Sequence, residues 1–301
     1  MPFKKNPREG SLRGKCLCIV ALSASLFAIE EEEKKPVPIG NFSVPPATQV
    51  SPLISFGQLL IGKQVLFPEL SGSYTQGRKS SSNLLVPNVI YGILDDLSLA
   101  LFVPYNLKNR SGPLHSSGVG DLLLQAEYGY YNLTYREAIF QTTVVGAIQF
   151  PTGSSIKNPP TGNGSCSYFL GTTFAYLTPN WYAFASPGAL ITTTRHGTKF
   201  GNSYLYQWGF ARYIGPLSPP GWVFDLMVEF DGQYVERDRI DGKTDPDSGG
   251  NSLFVTPSIW LSSNRWIFQW GIGFPLIQNL NGKQDKSTYS IAYNLGAALQ
   301  F

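Results

Sequence analysis

Apolar side chains recur at every second position along most of this chain of 301 residues. Between Arg265 and Leu276 the even positions hold Trp, Phe, Trp, Ile, Phe and Leu, whereas Gln and two Gly lie on the other face. Between Trp222 and Asp231 one face is Trp, Phe, Leu, Val and Phe, and the opposite face carries three acidic residues. A period of two residues is that of a β-strand, and it argues against an amphipathic helix.

Twelve alternating segments of this kind follow one another, and their number is even. They cover about 65–77, 84–94, 97–107, 118–131, 137–150, 165–177, 181–194, 202–214, 221–235, 251–261, 265–277 and 287–301. Short connections alternate with longer polar loops along the chain. All short connections therefore lie at one end of the barrel, and the first strand begins and the last strand ends at that same end. This layout is typical of a transmembrane antiparallel up-and-down β-barrel of about 12 strands in the bacterial outer membrane.

Composition agrees with a wall that faces lipid. Charged residues make up 14% of the chain, against about a quarter in ordinary soluble domains, and no apolar run reaches the roughly 18 residues of a membrane-spanning helix. In hydrocarbon, an open sheet edge leaves backbone N–H and C=O groups unpaired, so we expect the last strand to pair with the first. The aromatic ending at Phe301 resembles the closing strand of outer-membrane barrels, where it serves as the assembly signal.

The amino terminus has the pattern of an export signal. Basic residues precede the apolar stretch 16–28, and cleavage is expected between Ser25 and Ala28, so residues 1–28 are predicted to be a signal peptide. Acidic residues and prolines follow, and we predict a flexible periplasmic segment over 29–63. The barrel then covers 64–301. A soluble all-β protein with an apolar core is the alternative that the alternation by itself allows.

Charge and cysteine content exclude several classes of function. Removing residues 1–28 takes five of the 23 basic and one of the 20 acidic residues, which leaves 18 against 19 and a net charge of about −1. This charge gives no reason to expect a nucleic-acid partner. Cys16 and Cys18 leave with the signal, and Cys166 alone can form neither a disulfide nor a C-x-x-C metal site within the mature chain.

The face opposite the apolar one is predicted to line the lumen. Its acidic members are Glu69, Asp121, Glu127, Glu137, Asp225, Glu229 and Asp231. One interpretation is a narrow polar lumen with an acidic stripe that disfavours anions. The other is that these groups bind one another and water and plug the interior. Twelve strands lie between the eight that side chains can fill and the 16 to 18 that leave an open channel.

Residues that commonly perform catalysis are scarce. The two histidines, His115 and His196, fall in predicted outer loops, away from a clear strand face that would hold a general base beside a nucleophile. The glycine-rich stretches 118–121 and 150–153 are not phosphate-binding loops, because no helix follows them. We therefore predict no catalytic residues, no metal and no cofactor.

Three stretches resemble a known family. YGILDDLSLALFVPYNL (91–107), GVGDLLLQAEYGYY (118–131) and VVGAIQFPTGSS (144–155) resemble, in order and spacing, the outer-membrane barrels of the family of transporters of the meta-pathway of phenol degradation. The resemblance covers about 85–301. It implies an exported barrel, a channel for small and often aromatic molecules, with no catalytic residues.

Our expectation is an outer-membrane channel or transporter for small molecules, hydrophobic or aromatic ones among them. The alternatives are a structural or surface-exposed outer-membrane protein without transport and, third, a lipid-modifying enzyme. The expected partners are outer-membrane lipid, the barrel-assembly machinery that reads Phe301 and a small-molecule solute. We expect no nucleic acid, and a monomer.

Overall fold

The computed structural model describes residues 51–135, 138–217 and 221–300. Within these ranges twelve antiparallel strands form one closed sheet, which confirms the predicted all-β barrel. The strands are β1 (Val65–Gly77), β2 (Ser80–Leu94), β3 (Leu97–Phe102 with Tyr105–Ser111), β4 (Leu114–Val119 with Leu122–Tyr135), β5 (Ala138–Phe150), β6 (Ser167–Leu177), β7 (Trp181–Thr192), β8 (Ser203–Leu217), β9 (Trp222–Val235), β10 (Gly250–Ser262), β11 (Trp266–Leu280) and β12 (Ser287–Ala297 with Leu299–Gln300). In these same ranges, no helix is long and apolar enough to cross a membrane.

The barrel closes where its first strand meets its last. β1 pairs antiparallel with β12, with Glu69 opposite Gly296 and Leu66 opposite Leu299. The described part of β12 ends at Gln300, opposite Val65, and Phe301 lies outside the described residues. Each remaining strand pairs with its neighbours in chain order, so the closed wall provides partners for its backbone groups.

Large apolar side chains cover the outside of the wall. In β11, Trp266, Trp270 and Phe274 are 45%, 45% and 48% exposed, whereas Ile267 and Gln269, which alternate with them, are buried. The predicted outward face is thus confirmed. Exposure of so wide an apolar surface to water is unfavourable, so the barrel lies in a bilayer. Its architecture is that of barrels in the bacterial outer membrane.

Two strands extend further than the sequence pattern predicted. The third and fourth segments are joined by a hairpin that runs through the predicted loop 108–117, with Asn109 opposite Ser116 and Ser111 opposite Leu114. Gly112, with a φ of 58°, lies in its turn. These residues are largely polar because they project beyond the lipid, so the apolar alternation stops before the hydrogen-bonded strands do.

Residues 51–63, which we call the inner segment, lie inside the barrel. Its amides at Leu53 and Ile61 donate to Glu229 in β9 and Ser98 in β3, and its Ser51 carbonyl accepts from Gln269 in β11. Strands on several sides of the ring can contact one short segment only if it occupies the interior. This arrangement differs from the flexible segment predicted over 29–63, and residues 1–50 lie outside the described residues.

Candidate functional site: the barrel interior

Glu229 holds the first half of the inner segment. Its side chain is fully buried, and it accepts hydrogen bonds from the backbone N–H groups of Leu53, Ile54 and Ser55 at 2.7, 3.2 and 3.2 Å. The Ser55 hydroxyl donates to the same carboxylate at 3.2 Å. Successive amides that converge on one carboxyl group form a nest, which gives its buried oxygens hydrogen-bond partners.

Glu127 holds the second half in the same way. It accepts from the N–H groups of Gln58 and Leu59, both at 2.9 Å, and from the hydroxyl of Thr143 at 2.7 Å. Gly57 and Gln58 have φ values of 83° and 64°. A Cβ at Gly57 would come within 2.3 Å of a methyl group of Thr173, so only glycine fits this turn against the wall.

Two other predicted acidic residues, Asp231 and Asp121, bind different parts of the chain. Asp231 accepts from the Ser55 hydroxyl at 3.0 Å and therefore joins Glu229 at the inner segment. Asp121 accepts from the amides of Gly153 and Asn163 at 2.9 and 2.6 Å, which ties the outer loop 151–164 to the wall.

Two more acidic residues accept no hydrogen bond from the inner segment. Asp225 is buried, and its Oδ2 atom has no hydrogen-bond partner within the described ranges. Glu69 borders a small gap that Asn294 and residues 58–61 of the inner segment also line, and Glu137 lies outside the described residues. Glu127, Glu229 and Asp231 thus bind the inner segment directly, and Glu69 lies next to it.

A chamber lies between the inner segment and the outer loops. Its volume is about 240 Å³. The apolar part of its lining is Phe56, Leu123, Ala147, Phe169, Leu190 and Leu205, and the polar part is Gln125, Gln149, Ser203 and Gln233. The rings of Phe56 and Phe169 pack edge to face with centroids 4.7 Å apart, so an aromatic pair from the inner segment and β6 forms one wall.

Two features fit this chamber to a ligand with an apolar body and a polar group. The Phe56–Phe169 pair, which lines the chamber, lies flat against Gly171 and Gly188, because a Cβ at either position would come within 2.6 Å of one of its rings. Gln125 is buried, and its Nε2 atom has no hydrogen-bond partner among residues 51–135, 138–217 and 221–300. A buried amide donor of this kind favours an acceptor atom nearby.

Apolar packing fills the opposite, periplasmic half of the interior. Ile61 of the inner segment is buried with Phe67, Ile90, Trp260 and Ile267. The gap that remains beside this cluster measures about 30 Å³, which is roughly the volume of one water molecule in the liquid. The sequence prediction missed these inward apolar residues. Their signal is local: apolar residues occupy both faces of the strand at Leu66–Phe67, Ile259–Trp260 and Trp266–Phe268.

Neither histidine is part of a catalytic arrangement in the described structure. His115 lies in β4 instead of a loop, and His196 occupies a turn with a φ of 48°. Both are exposed, and no hydrogen bond of either imidazole is found within the described ranges. In the same ranges, no three His, Cys, Asp or Glu side chains come together as a metal site.

Comparison with known proteins supports the fold. The chain is similar to the COG4313 outer membrane channel from Pseudomonas putida F1, with a TM-score of 0.64, 17% identity, and 83% of this chain and 100% of that chain covered. It is more distantly similar to the NanC porin, with a TM-score of 0.47, 9% identity, and 78% and 100% covered. No family model and no curated protein matches the sequence.

At 17% identity, the likeness to the COG4313 channel shows a shared barrel fold. It agrees with the predicted outer-membrane barrel, while membership of the phenol-degradation transporters stays a prediction.

Proposed function

We propose that the protein is an outer-membrane channel for small molecules with an apolar, often aromatic, body. The observation that carries this proposal is the chamber of about 240 Å³ inside the barrel. An apolar cavity of about 150 Å³ is enough to bind benzene. The chamber can therefore take one ring together with a polar substituent, and the amides of Gln125 and Gln233 are available to bind that substituent.

The buried carboxyl groups also influence which charge a solute can carry through the barrel. Glu127, Glu229 and Asp231 lie next to the chamber floor, and none of them forms an ion pair with Lys or Arg among the residues described. When these carboxyl groups are ionised, an anion that passes them meets like charge in a partly dehydrated interior, so neutral and cationic solutes are favoured. No step of this role requires a catalytic group, a metal or a cofactor.

Passage to the periplasmic side requires the inner segment to move. The segment bonds to the wall through its backbone amides and through the packing of Ile61, so the described arrangement is a closed state. The same occupied interior favours a second candidate function, a structural barrel without transport. A monomer suffices for either function, because exposed apolar residues occur on every strand of the wall.

Liposome swelling with three lipid-impermeant amino acids tests the proposal. Phenylalanine and glutamine share a zwitterionic backbone and differ in the aromatic ring, while glutamate adds a negative charge. We expect phenylalanine to enter several-fold faster than glutamine, and glutamate to enter slowest. Equal rates for phenylalanine and glutamine would reject the apolar preference. No entry of any solute, with the full chain and with a variant lacking residues 51–62, would favour the structural role.

A further inference from the structure

A second cavity lies on the outside of the wall, at the end that carries the long loops. Its volume is about 330 Å³, within the usual range of ligand sites, about 300 to 1,000 Å³. It is bordered by Tyr74, Gln76, Arg78, Lys79, Ser80, Ser81, Asn83, Lys108 and Arg110. We call this cavity the outer-rim pocket.

The strand register places the pocket on the lipid-facing side. Gln76 pairs with Ser81, and Ser81 pairs in turn with Arg110, so these side chains share one face of β1, β2 and β3. On the same face and nearer the membrane centre lie Leu70 and Tyr105, which are 36% and 41% exposed. The outward face therefore changes from apolar to polar and basic at the outer rim.

Four positive charges surround the pocket without matching carboxylates. Within the described ranges, Arg78, Lys79, Lys108 and Arg110 form no ion pair with Asp or Glu. One carboxylate, that of Asp285, lies beside the pocket, where it accepts from the Ser80 hydroxyl at 2.6 Å and from the amides of Lys79 and Ser80 at 2.9 Å each. Four basic side chains against one carboxylate leave the pocket with an excess of positive charge. Arg110 donates one bond, from Nε to the Gly112 carbonyl at 3.0 Å, and its other guanidinium donors remain available to a ligand.

We propose that the outer-rim pocket binds the phosphorylated headgroup of a glycolipid in the outer leaflet. Guanidinium and ammonium groups that converge on one cavity match the oxygens of a phosphate monoester, and such charge-assisted hydrogen bonds are among the stronger ones in proteins. The position selects a lipid over a soluble phosphate. Acyl chains attached to the headgroup can lie along Leu70 and Tyr105, on the same face.

Native mass spectrometry of the purified full chain in detergent tests this inference. The probes are a bis-phosphorylated lipid A, the same lipid without phosphates, and inorganic phosphate. We expect lipid adducts only with the phosphorylated form. Equal retention of the dephosphorylated lipid would overturn the proposal, and so would saturable binding of inorganic phosphate at the same concentration. Because these comparisons use the unaltered chain, they do not depend on the folding of a variant.

Substitution then locates the site. Lys108→Gln with Arg110→Gln removes two charges from the pocket, and we expect lipid affinity to fall about tenfold or more. The matched control, Arg239→Gln with Lys243→Gln, removes two exposed charges from another outer loop and should leave binding unchanged. Heat-modifiable migration in electrophoresis verifies that both variants are folded barrels. Equal loss in a folded control, or none in the folded pocket variant, would contradict the assignment.

Discussion

The outer and periplasmic halves of the barrel interior differ although the same twelve strands build both. On the outer side a chamber of about 240 Å³ remains, whereas on the periplasmic side about 30 Å³ is left beside a packed apolar cluster. The inner segment makes the difference, since its Phe56 faces the chamber and its Ile61 completes the cluster. The twelve strands thus form the wall, and the inner segment closes the periplasmic half of the interior.

Deletion of residues 51–62 should abolish the difference between the outer and periplasmic halves of the interior. Of the changes predicted here, it should have the largest effect on conductance. The deletion removes Ile61 from the apolar cluster and frees Glu127 and Glu229. We expect planar-bilayer conductance to rise by about an order of magnitude or more, with a preference for cations, because a twelve-strand barrel without its plug has an open core. An unchanged conductance would show that side chains of the wall close the tube without the inner segment.

Substitution of both anchors should loosen the segment without removing it. In Glu127→Gln with Glu229→Gln, neutral amides replace the carboxylates that accept from Leu53, Gln58 and Leu59. Hydrogen bonds to charged groups contribute about 1 kcal/mol more than neutral ones, so we expect open events to become about tenfold more frequent in single-channel recordings.

Glu236→Gln is the control for these anchors. Glu236 accepts from Asn202 and Tyr204 at the outer end of the wall, away from the inner segment. A rise in open events as large as that of the double variant would show that the effect does not come from the interior.

Phe169→Ala should alter the chamber and leave the periplasmic half closed. It removes the ring that packs against Phe56. An aromatic pair contributes about 0.5 to 1.5 kcal/mol, so we expect the preference for phenylalanine over glutamine in liposome swelling to fall by about two- to tenfold. Phe268→Ala, at a lipid-facing position that is 43% exposed, is the matched control. A preference that stays intact in Phe169→Ala would place solute selection outside the chamber.

The smallest effect is expected at the outermost turn of the wall. Hydrogen bonds from the Ser80 hydroxyl and from the amides of Lys79, Ser80 and Lys286 lower the pKa of Asp285 below its ordinary value of 3.8. The ionised carboxylate therefore stabilises the β1–β2 turn at neutral pH, and this stabilisation is lost as the pH falls through that lowered pKa.

Asp285→Asn imitates the protonated state at neutral pH. We expect trypsin to cleave after Arg78 or Lys79 about two- to threefold faster in this variant, because the turn opens locally more often. Asp241→Asn, in an exposed turn of another loop, should leave the rate unchanged. Unchanged cleavage in Asp285→Asn would show that the turn does not depend on this carboxylate.

The outer wall was largely predictable from the sequence. Lipid requires an apolar outward face, and strand geometry requires alternation, so the twelve segments appear directly as a period of two residues. The boundaries were missed where this requirement ends. Residues 108–117 extend into water as a hairpin that hydrogen bonds and not apolar packing maintain, and its polar sequence resembles that of a loop.

The interior was less predictable. Glu127 and Glu229 were predicted as inward acidic residues, but their partners are backbone amides far away in the sequence. Gln58 lies 69 positions before Glu127, and Leu53 lies 176 positions before Glu229. Every residue except proline has a backbone N–H group, so no pattern of side chains distinguishes these partners. Phe67, Ile90 and Trp260 likewise occupy the face that alternation assigned to the lumen, because the inner segment gives them an apolar partner there.

The sequence by itself determined that this chain forms a closed β-wall in lipid, since alternation and the need to pair every backbone group in hydrocarbon are local requirements on each strand. Only the tertiary structure decided what fills that wall. The inner segment lacks a regular period, and its position depends on carboxyl groups from distant strands that only the closed barrel brings together.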